Sequence, residues 1–131
     1  MTRLPHLPLL LLVEPQFVLR RTIVSVARDL GLVEFHEATS VARALPVLAA
    51  RPFFGLVLDC DDVSASTDLL SRLRSGAFAC PADMPVLALS SQVDPERDAW
   101  REAIGVQDTL RKPFKIRTLL ESVQAMAEHK R

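Results

Sequence analysis

Apolar positions along the chain fall into two alternating spacings, unbroken short runs and stretches where they recur every three or four residues. Leu9 to Val13, just after Pro8, is an unbroken run, the mark of a parallel strand covered on both faces. Leu19, Ile23, Val26, Ala27 and Leu30 then keep helical spacing until Gly31 supplies a natural stop. Val33 to Ala38 reads as a short second strand, after which Thr39 or Ser40 can cap a helix to about Ala50. Pro46 inside that helix predicts a kink or a late start. Gly55 to Leu58 is the third run; it closes on Asp59, Cys60, Asp61 and Asp62, and Ser64, Ser66 or Thr67 can cap the next helix. Pro85 to Leu89 repeats the pattern and ends in Ser90 and Ser91, with Asp94 as cap and Pro95 as the first residue of a fourth helix. Gly105 precedes a short strand around Thr109 and Leu110, followed by Lys112, Pro113 and Phe114. Ile116, Leu119, Leu120, Val123 and Ala127 make the final helix amphipathic.

Strands that alternate with helices in this way build a parallel sheet with helices on both faces, by the right-handed crossover rule. In such sheets working groups collect beyond the carboxyl ends of the strands. Glu14, Asp59, Ser90 and Lys112 each follow an apolar run, so the fold brings them to one crevice. A carboxylate, a hydroxyl and an ammonium together suit phosphoryl transfer to the carboxylate. Asp59 would be the nucleophile, while Lys112 and Ser90 would hold phosphoryl oxygens.

With 131 residues the chain makes one domain, residues 1–131 with a core from about 9 to 128. Sixteen basic residues balance sixteen acidic ones, so no global field holds it on nucleic acid or an anionic membrane. The absence of Tyr argues further against a base-stacking platform. Cys60 and Cys80 lack metal-ligand spacing and read as reduced, buried thiols of a cytoplasmic protein. Leu7 to Val13 behind Arg3 superficially resembles a signal-peptide core; it is too short to span a bilayer and ends in Glu14 and Pro15, not at a small-residue cleavage site. His6, His36 and His129 are scattered, and none stands beside a plausible ligand or nucleophile.

The order and spacing of these motifs resemble the receiver domain of two-component response regulators over nearly the whole chain. Leu11, Leu12, Val13, Glu14 looks like the family's first strand and first acid; Leu56, Val57, Leu58, Asp59 resembles the strand that ends in the phosphoacceptor. Pro85 to Ser90 is similar to the fourth strand with its switch hydroxyl, and Gly105 to Phe114 resembles the segment that carries the phosphoryl-binding Lys, here Lys112. The resemblance implies a flavodoxin-like, doubly wound five-stranded sheet of order 2-1-3-4-5 with five helices. It also implies a signalling module and not an enzyme, with Asp59, Lys112 and Ser90 as the reacting and holding groups. Magnesium would sit on Glu14, Asp59 and Asp61. The implied partners are a histidine kinase or phosphotransfer protein and a downstream protein docked on the helix 4, strand 5 and helix 5 face; self-association into a homodimer stays open.

Three departures bear on that reading. Pro15 followed by Gln16 stands where the family places its second acid, which weakens magnesium binding. Asp62 and Val63 replace the Met-Pro turn, and Thr109 replaces the aromatic switch residue. Asp61 is a rival to Asp59 and, by strand periodicity, could face the same way and stand in for the lost acid. Glu14 could serve only as a partner for Lys112. Two other functions remain open beside a phosphorylated receiver: a degenerate receiver that binds partners without phosphorylation, and, more remotely, a haloacid dehalogenase-type phosphatase. The phosphatase is suggested by Asp59 to Val63, and opposed by the lack of any Asp after Lys112.

Overall fold

The computed structural model describes residues 6–129. Five strands alternate with five helices: β1 (Leu9–Val13), α1 (Phe17–Asp29), β2 (Glu34–Ala38), α2 (Val41–Ala50), β3 (Gly55–Asp59), α3 (Val63–Arg74), β4 (Val86–Ser90), α4 (Pro95–Ala103), β5 (Asp108–Arg111) and α5 (Ile116–His129). All strand pairs are parallel, as the apolar runs predict, and the sheet order is β2-β1-β3-β4-β5, as the resemblance implies.

The two-residue period of the strands divides the core in two. Leu11, Val13, Leu56, Leu58, Val86 and Ala88 face a layer built from α2, α3 and the inner side of α4. Leu10, Leu12, Val57, Leu87 and Leu89 face the opposite layer, built from α1 and α5. Because both faces are covered, β3 and β4 are buried at every residue, and their sequences are apolar without alternation until the last position. Each such Leu or Val contributes about 1.5–3 kcal/mol by leaving water. The polar groups that end these strands are therefore the first exit from a dry interior.

Local signals set most of the boundaries. The Ser40 hydroxyl accepts from Arg43 N at 3.2 Å and the Asp94 carboxylate from Arg97 N at 3.1 Å, so both residues cap as expected. For α3 the cap is Asp62, whose Oδ1 accepts from Ala65 N at 3.1 Å; Ser64, Ser66 and Thr67 lie inside the helix. A carboxylate at the head of the run captures the free amides first, which leaves the hydroxyls nothing to cap. Gly31 and Gly105 adopt φ of +65° and +85°, the left-handed conformation that ends a helix cheaply only without a Cβ.

Helix α2 starts on its Ser40 cap without delay and runs through Pro46. Pro46 has no amide to offer the carbonyl four residues earlier, and its side chain is exposed, so packing does not compensate the loss. Pro46→Ala is therefore expected to stabilise the domain by about 1–2 kcal/mol in urea unfolding, after the entropy that Pro removes from the unfolded chain is deducted. A less stable variant would show that the ring makes a contact worth more than the hydrogen bond.

Candidate functional site

The carboxyl ends of β1, β3 and β5 meet through one side chain. Lys112 directly follows β5; its Nζ lies 2.6 Å from Glu14 Oε1 and 3.1 Å from Asp59 Oδ1. Glu14 is fully buried, Asp59 is 8% exposed, and neither of those two oxygens has a hydrogen-bond partner beyond the ammonium. Two buried carboxylates thus share one cation, while Glu14 Oε2 accepts from Gln16 N at 3.0 Å. Lys112 is also tied through its backbone, whose N donates to Ser90 O at 2.8 Å, and its peptide bond to Pro113 is cis. Lys112 is enclosed, with its side chain 10% exposed.

Burial pushes the Asp59 carboxyl up to about 6; Lys112 pulls against that, while the charges of Glu14 and Asp61 add to it. Burial also works against the Lys112 ammonium, yet its hydrogen bonds to Glu14 and Asp59 prevail and hold its pKa above the ordinary value. Asp59 is therefore an ionised but reluctant carboxylate near neutral pH, held ready by the lysine.

Ser90 ends β4 and is 3% exposed. Its hydroxyl accepts from Gln92 N at 3.1 Å and points its proton between Asp61 Oδ1 and Gln92 O, both at 3.3 Å. Asp61 does not continue β3, which stops at Asp59, so the period-two argument fails for it. Instead its carboxylate accepts from Ser91 N and Ser91 Oγ, each at 2.8 Å, and straps the β3–α3 turn to the β4–α4 turn. These bonds outweigh its burial and hold its pKa below the usual carboxylate range. A crevice lined by Gln16, Leu19, Asp61, Ser91, Lys112, Pro113 and Phe114 opens beside this group.

Magnesium takes one or two carboxylates plus waters and phosphoryl oxygens. Glu14 Oε1 and Asp59 Oδ1 fit that minimal set, since they already face one cationic point. Pro15 adds no ligand and Asp61 is turned to the serines; among the described residues no three His, Cys, Asp or Glu side chains form a metal cluster. Glu14 and Asp59 are the residues that would hold the ion.

Several supporting residues carry no motif. Buried Arg20 donates through Nη1 to Glu14 O at 2.9 Å and through Nε to Glu37 Oε1 at 3.0 Å, which fixes the turn after β1 to β2. Buried Arg101 donates to Thr109 Oγ1 at 3.2 Å and to Asp98 Oδ1 at 2.7 Å, so a guanidinium holds the hydroxyl where the family carries an aromatic ring. In the sequence both read as surface arginines; Asp98 three residues before Arg101 is the one local hint. Cys60 and Cys80 are buried free thiols, and His36 packs edge-on against Phe53. The side chain of His129 lies outside the described residues.

A doubly wound sheet with an acid-and-lysine crevice at this edge resembles the receiver domains of response regulators. No family model matches the chain. It is 28% identical over 120 residues to the chemotaxis protein CheY of Pseudomonas aeruginosa, covering 91% of this chain and 95% of that one. CheY-3 of Vibrio cholerae is also 28% identical over 120 residues, covering 91% of each. The receiver domain of the Francisella response regulator 1452 superposes with a TM-score of 0.79 at 22% identity, over 95% of this chain and 99% of that one. CheY4 of Vibrio cholerae superposes at 0.78 with 23% identity, over 92% and 98%. The chain is thus similar to CheY-type receiver domains over nearly its whole length, and it shares their fold.

Burial and like charge make Asp59 costly to ionise, and that gives a test. A carboxyl raised from 3.8 to about 6 favours the folded state below its unfolded pKa, and the contribution is lost as pH rises to and past 6. Asp59→Asn should therefore raise Tm by a few degrees above about pH 7 and leave it nearly unchanged below about pH 4, as read by calorimetry across pH. An equal shift at both pH values would point to a steric cause.

Proposed function

We propose that this receiver domain takes a phosphoryl group onto Asp59 from a phosphohistidine of a histidine kinase or phosphotransfer protein in the cytoplasm, and thereby changes its affinity for a protein partner. The observation that carries the reading is the ion pair of Asp59 Oδ1 with Lys112 Nζ at 3.1 Å, set at the end of β3 beside Ser90. In the transfer, an Asp59 oxygen attacks phosphorus, the new O–P bond forms, and the P–N bond to imidazole breaks with its electron pair returning to the ring. Lys112 offsets the charge on the incoming phosphoryl oxygens, and the Ser90 hydroxyl, at the end of the adjacent strand β4, is the neutral donor assigned to them. A magnesium ion held by Glu14 and Asp59 would supply further neutralisation of those oxygens. Receiver domains are in general signalling modules without turnover, so the product is a changed surface. The surface expected to change is that of α4, β5 and α5, where Ser90 meets the loop into α4.

A second reading has its own support. Pro15 in place of the second acid, and a lysine already shared by both remaining ones, favour a receiver that binds partners without phosphorylation. The phosphatase alternative loses its acid to the strap, since the Asp61 oxygens are engaged by Ser90 and Ser91.

Intact mass after incubation with magnesium and acetyl phosphate separates the two. The phosphorylated receiver gains a phosphoryl mass that Asp59→Asn abolishes, and the yield falls as pH drops through about 6 because the nucleophile is the ionised carboxyl. No adduct at high magnesium, with acetyl phosphate or with beryllofluoride, would leave the phosphorylation-independent module standing.

A further inference from the structure

The crevice has one place for a cation and two claimants for it. Lys112 Nζ stands within 2.6 Å and 3.1 Å of the two oxygens that fit a metal, and both oxygens lack any other partner. The remaining candidate, Asp61, is engaged through both oxygens by Ser91, and Pro15 brings no donor. A divalent ion needs its carboxylate oxygens at about 2.0–2.1 Å, closer than an ammonium does, so it cannot share the point with Lys112. It must displace the lysine or lie beside a positive charge in a buried site, where that charge is poorly screened.

We infer that Lys112 is the resident cation of this crevice and competes with magnesium for Glu14 and Asp59, so that removing its charge strengthens the metal site. This deepens the proposed function and rests on its reading of the crevice as the receiver site, not on the transfer of a phosphoryl group. Two charges on one oxygen pair decide the sign. With Lys112 present, magnesium must displace an ammonium that already compensates both oxygens in part, or bear its repulsion; with Lys112 neutral, two buried carboxylates face each other without compensation. Such a pair is unstable in the absence of a cation and binds one strongly when it is offered.

The test is a thermal unfolding series near pH 8 in EDTA and in about 10 mM magnesium, where ligand binding raises Tm by mass action. Wild type is expected to melt within about 1 °C in both. Lys112→Met should melt lower in EDTA and regain several degrees in magnesium, with a titration midpoint at least about tenfold below any seen for wild type. Adding Glu14→Gln to Lys112→Met should remove the rescue, and Lys112→Arg should keep the wild-type indifference. Lys112→Gln, which keeps a hydrogen-bond donor between the acids, serves if Lys112→Met does not fold in EDTA; recovery of its native circular dichroism on adding magnesium counts as rescue. If neither neutral variant responds to magnesium, or if wild type is stabilised as strongly as they are, the inference is overturned. The phosphoryl mass assay reports separately: rescue of Lys112→Met with no adduct on wild type leaves this inference intact and removes only the phosphoacceptor role.

Discussion

Three strand ends lean on a single ammonium. Lys112 draws Glu14 at the end of β1 and Asp59 at the end of β3 toward the end of β5, and its own amide binds Ser90 O at the end of β4. The energetic weight of such an arrangement lies less in what it adds than in what its loss would leave behind. A buried pair is close to neutral against an apolar replacement, but stripping one partner typically costs about 3–5 kcal/mol because an uncompensated charge remains. The crevice is thus held by necessity: with both faces of β3 and β4 apolar, the two facing oxygens are buried with the ammonium as their partner.

The departures from the receiver pattern make sense around that constraint. Losing the second acid at Pro15 leaves two negative charges against one positive charge, a balance that a single lysine can nearly satisfy without a metal. Asp61 is then free to serve elsewhere, and its carboxylate ties the two turns beyond β3 and β4 through three hydrogen bonds from the serine pair. Arg20 performs a similar service after β1, where its guanidinium donates to the buried Glu14 carbonyl. Each substitution removes a group from magnesium chemistry and finds it, or its neighbour, a fixed partner within the fold.

How much of this the sequence revealed depends on how local each cause is. Unbroken apolar runs ended by a polar residue placed β1, β3 and β4, and hence Glu14, Asp59 and Ser90 at one edge, because burial on both faces writes itself directly into composition. Asp94 and Ser40 were legible as caps because a cap acts on amides only three residues away. Asp61 was not, since its direction depends on where β3 stops and on a serine amide 30 residues away. The pairing of Glu14 with Lys112 was open to inference from the strand ends, but the depth of Lys112 was not: Lys-Pro-Phe reads the same whether the ammonium is half-exposed or shared by two buried acids. Arg20 and Arg101 look like ordinary members of charged helices until Glu37 and Thr109 come alongside in space.

At the seam between α4 and β5, Thr109 takes the place of a large side chain, and the seam changes character with it. A ring there can swing as a unit; a threonine has too few atoms to fill or vacate a pocket, and its hydroxyl is held by Arg101. The seam is polar instead. From Ser90 the hydrogen bonds run to Gln92, whose carbonyl accepts from Arg111 Nη1; Arg111 reaches Asp98 Oδ2 at 3.5 Å, and Asp98 grips Arg101. Contiguity alone is not coupling, which needs an element with two arrangements that both ends can bias. Here that element would have to be the whole strap of charges, because each member is fixed by at least one neighbour and none can turn without releasing the next. A seam built this way moves collectively, through ion pairs that salt weakens at the exposed Arg111 end and barely touches at buried Arg101.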